Sequence, residues 1–323
     1  MAPQPVIIDT DTAQDDCVTI LWGLLDPAAD LRAITLVAGN VAFDQQVANT
    51  HLTLNAAGRL GSVPVHAGCR RPMLREWASA EDVHGDGSGG LSMDQSGTRL
   101  EAEHAVNALL RITAEAPGEV SIIAIGPLTN IATAVVMDRE FAGRVKTLAV
   151  MGGSINGLGN ITPAAEYNLY VDPEAAQIVL EAGFEDLRIL TWDPVTLQDA
   201  TIDRAGYDRL TAIGTPLARF FKAVCDTTLD FNESVGVDGS THPDSMTLAA
   251  VLHPELVLAQ SRYRVDVEVA SPLTRGASVM AWPKFGLTPN ATVFEKVDGP
   301  AFFARLGEIL QTPTNPDLPI HGL

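Results

Sequence analysis

The chain has 323 residues, of which 46% are hydrophobic, and its 21 basic and 40 acidic side chains give a net charge of −19. Nucleic acid and anionic membrane surfaces repel so acidic a protein, and we expect neither as a partner. The widely spaced Cys17, Cys69 and Cys225 form no CxxC pair, which indicates free thiols in a reducing compartment. An apolar strand begins near residue 5 and no apolar run reaches membrane-spanning length, so we predict a cytoplasmic protein.

The first two thirds of the chain alternate between strand and helix patterns. We predict strands at Val6–Asp9, Leu31–Ala38, Val63–Ala67, Val120–Ile125, Val145–Met151 and Leu187–Thr191. We predict helices at Asp15–Leu25, Gln45–Gly58, Leu100–Ala116, Thr129–Val136 and Pro173–Gly183. Several strands are continuous apolar runs, which is typical of strands buried on both faces. The alternation predicts an α/β fold with a doubly wound, mostly parallel sheet and flanking helices.

The later half of the sequence is more helical after about Thr201 and ends with a predicted hairpin around Arg264–Ala270 and Thr292–Val297. No repeat or linker divides the chain, so we predict a single domain over 1–323 with an irregular tail at 313–323. A glycine-rich segment at 73–98 interrupts the alternation. A loop of that length in a compact domain is typically functional or disordered, and its glycines would let it close over a crevice as a lid.

Four carboxylates, Asp9, Asp11, Asp15 and Asp16, follow the apolar run 6–8 within eight residues. Like charges this close repel, so the cluster requires a proton or a cation. A strand end and a helix start would bring these oxygens together, which suits Ca²⁺ or Mg²⁺. The structural alternative is an acidic loop in solvent. In parallel sheets ligands bind beyond the carboxyl ends of the strands, where the later polar and glycine-rich strand ends also belong.

The same segments carry a resemblance to a known family. Asp9-Thr-Asp11-Thr-Ala-Gln-Asp15-Asp16 is similar to the DxDxxxDD signature of the inosine–uridine-preferring nucleoside hydrolases. The similarity continues in order along nearly the whole chain, through Val37-Ala-Gly-Asn40, Gly126-Pro-Leu-Thr-Asn130-Ile-Ala, Met151-Gly-Gly153, Asn160-Ile-Thr-Pro-Ala-Ala-Glu166-Tyr-Asn168, Pro243-Asp244 and Leu273-Thr-Arg-Gly276. The resemblance implies a doubly wound α/β fold and a Ca²⁺-dependent hydrolysis of the N-glycosidic bond of ribonucleosides, in a homodimer or homotetramer.

The resemblance also implies roles for individual residues. The metal ligands would be Asp11, Asp16, the backbone carbonyl of Ile125, and Asp244, and Asp11 would also be the general base toward water. The ribose contacts would be Asp15 and Asn40 at the 2′-hydroxyl side, Asn168 at the 3′ side, Asn160 and Glu166 at the 5′-hydroxyl, and Met151 within the same substrate site. Sites that hydrogen-bond a hydroxyl reject analogues that lack it, so 2′-deoxynucleosides should be poor substrates.

Each of these residues also has a structural interpretation when it is taken alone. Asn40 after a glycine is an ordinary turn, and Glu166 and Asn168 alternate as they would on a surface strand. Asp244 precedes an apolar run and would serve as a helix N-cap. The glycines at 152–153 would form a turn.

The proton donor to the leaving base is the open question at this stage. The family often has a histidine directly before the aspartate equivalent to Asp244, but here Pro243 stands there and His242 lies one residue earlier. His84, in the predicted lid, is the other candidate acid, and both histidines could instead be structural. Aromatic residues that could stack on a base are Trp77, Trp192, Phe220 and Phe221, although such residues are commonly core.

Two other functions remain as alternatives. Asp9-x-Asp11 is similar to the nucleophile motif of haloacid dehalogenase-type phosphohydrolases, but Ala13 and the context of Lys146 depart from that pattern. A catalytically silent nucleoside- or ribose-binding protein would keep the same ribose contacts. Release of free base would distinguish the hydrolase from both. The identity of the preferred base does not follow from the sequence.

Overall fold

A computed structural model describes residues 2–315 and 319–323. Its strands are β1 (Gln4–Thr10), β2 (Ala29–Leu36), β3 (Val65–Ala67), β4 (Ser121–Ala124), β5 (Thr147–Met151), β6 (Leu187–Leu190), β7 (Thr201–Ile202), β8 (Ser240–Thr241), β9 (Val257–Val267), β10 (Ser278–Ala281) and β11 (Ala291–Val297). Its helices are α1 (Gln14–Leu25), α2 (Phe43–Ala56), α3 (Glu81–His84), α4 (Ala105–Glu115), α5 (Thr129–Met137), α6 (Phe141–Arg144), α7 (Tyr167–Val171), α8 (Pro173–Glu181), α9 (Val195–Gln198), α10 (Arg204–Thr211), α11 (Pro216–Ser234), α12 (Pro243–Leu252) and α13 (Gly299–Leu310). Short 3₁₀ turns lie at Gln95–Gly97, Pro254–Leu256 and Pro283–Phe285.

Nine strands form the central sheet in the order β10-β9-β11-β6-β5-β4-β1-β2-β3. From β11 to β3 every neighbouring pair is parallel, whereas β9 runs antiparallel to both β10 and β11. Strands β7 and β8 form a separate antiparallel pair. The predicted doubly wound, mostly parallel sheet is confirmed.

Helices cover both faces of this sheet because alternate side chains of its strands point to opposite sides. On β1, Ile8 packs into one core with α1, α2, α11, α12 and α13, and Ile7 packs into a second core with α4, α5, α6 and α8. On β4, Ile123 packs into the first core and Ile122 into the second. The continuous apolar runs therefore reflect strands buried on both faces.

Three predicted elements differ from the structure. The predicted hairpin does pair antiparallel, but β9 begins earlier than predicted and β10 adds an edge strand beyond it. Helix α4 begins at Ala105 rather than at Leu100, because residues before it extend along β3, where the Glu101 N–H donates to the Val65 carbonyl at 2.8 Å. Strand β3 is shorter than predicted at its start.

The predicted lid, residues 73–98, is docked against the body of the protein. The Asn49 side chain of α2 donates to the Gly87 carbonyl at 2.9 Å. His321, near the carboxyl end of the chain, pairs antiparallel with Ser92 through two backbone hydrogen bonds of 2.8 and 3.1 Å. Of the predicted irregular tail at 313–323, residues 316–318 lie outside the described residues. In the described part of the chain, no helix combines the length and apolarity needed to cross a membrane.

Candidate active site

A cavity of about 440 Å³ opens at the carboxyl ends of the central parallel strands, where open α/β sheets bind ligands. Residues after β1, β2, β4 and β6, the end of β5, and helices α3, α7, α11 and α12 form its walls. The predicted substrate residues all line it: Asp15, Asn40, Met151, Asn160, Glu166 and Asn168. The predicted metal ligands Asp16, Ile125 and Asp244 line it as well, whereas Asp11 is fully buried behind the cavity surface.

Asp11 and Asp16 are held from the strand end and the first turn of α1. One oxygen of Asp11, Oδ2, accepts the backbone N–H of Asn40 at 2.7 Å. The other, Oδ1, is buried and has no hydrogen-bond partner in the described part of the chain. Asp16 accepts the Thr10 hydroxyl at 2.5 Å and the Ala13 N–H at 3.0 Å. An unpaired buried carboxylate oxygen is costly, so this one requires a ligand or a proton.

Asp15 links the acidic cluster to α12. Its Oδ2 accepts the backbone N–H of Asp244 at 2.9 Å, and its Oδ1 lies 3.2 Å from His242 Nδ1 and 3.3 Å from Ser245 Oγ. The Asp244 carboxylate lies in the first turn of α12, whose N-cap residue is His242, so the N-cap role for Asp244 is wrong. Asp244 projects into the cavity.

The carboxyl groups of this cluster are shifted toward protonation. Burial raises the pKa of Asp16 to about 6, against hydrogen bonds that lower it. Burial and then the charge of Asp16 raise the pKa of Asp11 well above its usual range. Burial and then the charges of Asp15 and Asp16 do the same for Asp244. A bound cation would offset this repulsion and return the groups to the ionised form.

The donor set suits a hard divalent cation, since it consists of carboxylates and a backbone carbonyl. Two glycines leave room for it: a Cβ at Gly39 would lie 1.9 Å from Asp11 Oδ2, and one at Gly126 would lie 2.8 Å from Asp11 Oδ1. Within residues 2–315 and 319–323, however, no three acidic, histidine or cysteine side chains are already close enough together to hold a metal ion. The chemistry of the donor set nevertheless fits a metal.

The residues of the Asn160–Asn168 motif form the opposite wall. Asn168 donates through Nδ2 to the carbonyls of Ile125 at 3.0 Å and Met151 at 3.2 Å. Glu166 caps α7 through the Asn168 N–H at 2.8 Å and also accepts the Gly153 N–H at 3.0 Å. It is buried, and burial raises its pKa to about 7 despite these bonds. The surface-strand interpretation of Glu166 and Asn168 is therefore wrong.

The two candidate acids occupy different places. His84 is on α3 in the lid and lines the cavity, with Nδ1 hydrogen-bonded to the side chain of Gln14. Loss of hydration lowers the pKa of its imidazole to about 4. His242 is fully buried and does not line the cavity. It stacks on Phe221 with ring centroids 5.4 Å apart, and its Nε2 lies 3.0 Å from Ser240 Oγ. The structure thus separates His242 from the substrate space.

Of the predicted stacking residues, only Trp192 lines the cavity. Phe220 and Phe221 are buried in the core, and Trp77 donates to the Gly39 carbonyl at 2.7 Å. The sequence analysis missed a largely apolar wall, which comprises Leu158, Ile161, Tyr167, Leu197, Thr228, Phe231, Asn232, Val235 and Val237. Ile161 and Tyr167 lie inside the Asn160–Asn168 motif already noted, but the others carry no local pattern that distinguishes them from core or surface residues.

Comparisons with known proteins agree with this fold. The chain is an enzyme of the glycosidic-bond hydrolase class, with likeness to nucleoside hydrolases along almost its full length. It belongs to the family described as inosine-uridine preferring nucleoside hydrolase, whose model matches residues 6–304. Enzymes of this family generally depend on a metal.

Individual relatives bear different names. A pyrimidine-specific ribonucleoside hydrolase, RihA, from Salmonella arizonae is 34% identical over 95% of this chain and 98% of its own. The solved plant nucleoside hydrolase PpNRh1 is 28% identical with a TM-score of 0.88, covering 96% of this chain and all of its own. A purine-preferring ribonucleoside hydrolase from Gardnerella vaginalis is 25% identical with a TM-score of 0.87, covering 95% and 99%.

Proposed function

We propose that this enzyme hydrolyses the N-glycosidic bond of ribonucleosides to free base and ribose with the help of a bound Ca²⁺. The observation that carries the proposal is the unpaired buried oxygen of Asp11 beside Asp16, next to a cavity with hydrogen-bonding groups enough for a ribose. Asp11, Asp16, Asp244 and the carbonyl of Ile125 would hold the ion. When bound, such an ion lowers the pKa of a water and binds vicinal hydroxyls.

The side chains have the following roles in the proposal. Asp11 accepts the proton of the attacking water, since its Oδ1 has no hydrogen-bond partner in the described part of the chain. Asp15 and Asn40 bind the 2′-hydroxyl and Asn168 the 3′-hydroxyl. Asn160 and Glu166, with Met151 beside them, bind the 5′ end of the sugar. The Asp244 N–H and His242 hold the Asp15 carboxylate in place. Its orientation is therefore set before the reaction and costs no further entropy.

The test is a panel of purine and pyrimidine nucleosides assayed for free ribose, with and without a chelator. The panel includes both base classes because similar relatives are named for each. We expect Asp11→Asn and Asp244→Asn to lose bound metal by elemental analysis and to lower kcat by about 100-fold or more. The exposed Asp208→Asn on α10 is the control. Full activity in a verified metal-free enzyme would refute the metal role.

Two alternatives fit the structure less well. A phosphohydrolase would need Asp9 as a nucleophile, but Asp9 is fully buried and bonded to Thr35 at 2.6 Å and Asn130 at 2.8 Å. Lys146 lies just before β5, at the end of the sheet away from the cavity. A catalytically silent binding protein would bind nucleosides in this cavity without releasing base, and the assay for free ribose separates it from the hydrolase.

We further propose a homodimer or homotetramer that works in the cytoplasm. All three cysteines carry free thiols in the described structure, which supports a reducing compartment. Light scattering on the purified enzyme tests the subunit number, and fractionation of the source cells tests the location.

A further inference from the structure

Gln14, the first residue of α1, has a buried side chain to which the proposed reaction assigns no role. Its Nε2 donates to the backbone carbonyl of His84 at 2.9 Å, and its Oε1 is hydrogen-bonded to Nδ1 of the same residue. Gln14 is not among the described residues that line the cavity. One amide group therefore contacts the lid histidine twice, at its backbone and at its ring, from outside the substrate space.

The two contacts together determine which ring nitrogen of His84 carries the proton. A backbone carbonyl only accepts hydrogen bonds, so the Gln14 atom that faces the His84 carbonyl must be the NH₂ group. The other end of the amide is then the oxygen, which also only accepts, and its hydrogen bond requires a proton on Nδ1. A neutral imidazole carries one ring proton, so Nε2 of His84 is left with a free lone pair.

Nε2 of His84 is the ring nitrogen that remains available to a substrate. His84 is half-buried and lines the cavity. Within residues 2–315 and 319–323, Nε2 has no hydrogen-bond partner and is not among the buried unpaired atoms. The position of Gln14 behind the ring therefore leaves Nε2 open to a ligand while Nδ1 is held.

We propose that Gln14 is a positioning residue that holds His84 in the tautomer with Nδ1 protonated, so that Nε2 exchanges the proton with the leaving base. The inference rests on the proposed function. The C1′–N bond breaks with both electrons going to the base, the imidazolium form of His84 gives the base its Nε2 proton, and solvent later restores that proton. Gln14 Oε1 accepts from Nδ1 throughout, and this bond is stronger while the ring is charged. An acceptor at Nδ1 that fixes tautomer and orientation is an established aid to histidine catalysis.

The first test is kinetic and uses Gln14→Met, which removes both amide contacts and keeps the length of the side chain. We expect kcat to fall by about tenfold on the fastest natural nucleoside of the panel, and by about twofold or less on p-nitrophenyl riboside, whose leaving group needs little protonation. Added to His84→Ala, Gln14→Met should lower kcat by a further twofold or less, roughly, because both changes act through one ring. Elemental analysis checks that each variant keeps its metal. Losses that multiply in the double variant would overturn the inference.

A matched control separates positioning of the ring from docking of the lid. Asn49 donates to the Gly87 carbonyl at 2.9 Å and to the Thr12 carbonyl at 3.0 Å, so Asn49→Ala removes a lid contact without touching the His84 ring. We expect Asn49→Ala to raise KM and to leave the ratio of kcat on the natural nucleoside to kcat on p-nitrophenyl riboside unchanged. The same change of that ratio in Asn49→Ala as in Gln14→Met would show that Gln14 only docks the lid.

The second test reads the tautomer directly, by ¹⁵N NMR of the full chain labelled at histidine. The signals of His84 are those that His84→Ala loses. At neutral pH we expect a protonated Nδ1 and an unprotonated Nε2 in the wild type, and a mixture of both tautomers in Gln14→Met. A protonated Nε2 in the wild type, or an unchanged tautomer in Gln14→Met, would overturn the inference. If no nucleoside of the panel releases ribose, the proposed function and the proton transfer are wrong, while the spectra still decide whether Gln14 sets the tautomer.

Discussion

His84 is the only histidine among the described residues that line the cavity, so it is the candidate donor for a neutral leaving base. Its pKa of about 4 keeps it neutral at physiological pH, and it would donate effectively only once a substrate or lid movement changes its surroundings. His242 instead contacts the Asp15 carboxylate through Nδ1, from within the core. At the residue scale we therefore propose separate roles for the two histidines, His84 toward the base and His242 toward the sugar through Asp15.

This separation predicts different kinetic effects. We expect His84→Ala to lower kcat on natural nucleosides by about 10- to 100-fold, the lower part of the range for general acid catalysis. The loss should shrink on p-nitrophenyl riboside, whose leaving group needs little protonation. His242→Ala should lower kcat less on natural nucleosides and should affect both substrates alike. An equal loss from His84→Ala on both substrates would exclude it as the acid.

The sugar contacts make a second prediction at this scale. Asp15, Asn40 and Asn168 line the cavity in which we propose that the ribose binds, and a 2′-deoxy sugar would leave some of their polar groups unpaired. We expect kcat/KM for a 2′-deoxynucleoside to be lower by about 100-fold or more than for its ribonucleoside. Comparable values measured side by side would mean that these groups only stabilise the loops that carry them.

Individual residues were predictable where a motif fixed them and not elsewhere. The carboxylates after β1 and the Asn160–Asn168 motif all reached one site because strand ends of a parallel sheet share an edge. The sequence left His242 open between an acid and a structural role, because one residue of offset at a helix start can turn a side chain from cavity to core, and the structure buries it in the core. Phe231 and Asn232 were missed because α11 shows only the pattern of an ordinary amphipathic helix.

At the scale of the element, part of the predicted lid lies against the backbone of α11 at Gly89. Gly89 and Gly90 both have positive φ, +57° and +72°. A Cβ at Gly89 would lie 2.7 Å from the Ala223 carbonyl of α11, whereas one at Gly90 would meet nothing within 4 Å. An alanine would be strained by positive φ at both positions, but only at Gly89 would it also clash with α11. Gly90→Ala is therefore a matched control for Gly89→Ala.

We expect Gly89→Ala to loosen the lid, because the added methyl group clashes with the α11 backbone. KM for nucleosides should rise and limited proteolysis should cut faster within 73–98. Gly90→Ala should show only the cost of a non-glycine residue at positive φ, about 1 kcal/mol. If the two variants are cut at equal rates, docking of the lid on α11 does not hold it closed.

The elements themselves were largely visible in the sequence. Continuous apolar strands indicated a parallel sheet buried on both faces, and this holds for β1, β4 and β5. Strand β10 was missed because its four residues follow a loop and pair only with β9, at the edge of the described sheet. The early residues of the predicted helix Leu100–Ala116 pair with β3 instead, a tertiary contact that helix periodicity does not encode.

At the scale of the whole molecule, stability at neutral pH draws on a buried network far from the cavity. Asp26 Oδ2 accepts from Trp22 Nε1 at 2.8 Å and lies 2.6 Å from His253 Nε2, which joins α1 to the end of α12. Burial alone would raise the pKa of Asp26, but the hydrogen bonds from His253, the Ala28 N–H and Trp22 outweigh it and lower the pKa.

A carboxyl group whose pKa is lowered by folding stabilises the fold above its unfolded pKa, and this stability is lost as pH falls through the folded pKa. We expect Asp26→Asn to reduce the free energy of unfolding by about 1–3 kcal/mol at pH 7 and by less at pH 3. Urea unfolding at both pH values is the measurement. The surface variant Asp30→Asn should change stability little at either, and an Asp26→Asn effect that is constant with pH would contradict the charge argument.

The crowding of Asp11 by glycine has a consequence for how such sequences can change over time. A Cβ at Gly39 would lie 2.6 Å from the Asp11 Cβ, so a side chain does not fit there while Asp11 and this backbone remain, whereas one at Gly126 would displace the Asp11 carboxylate oxygen. We therefore expect substitution of Gly39 to follow loss of the aspartate rather than precede it. In a homologue that shares this backbone, we expect a larger residue at the position of Gly39 to be accompanied by loss of the aspartate at the position of Asp11.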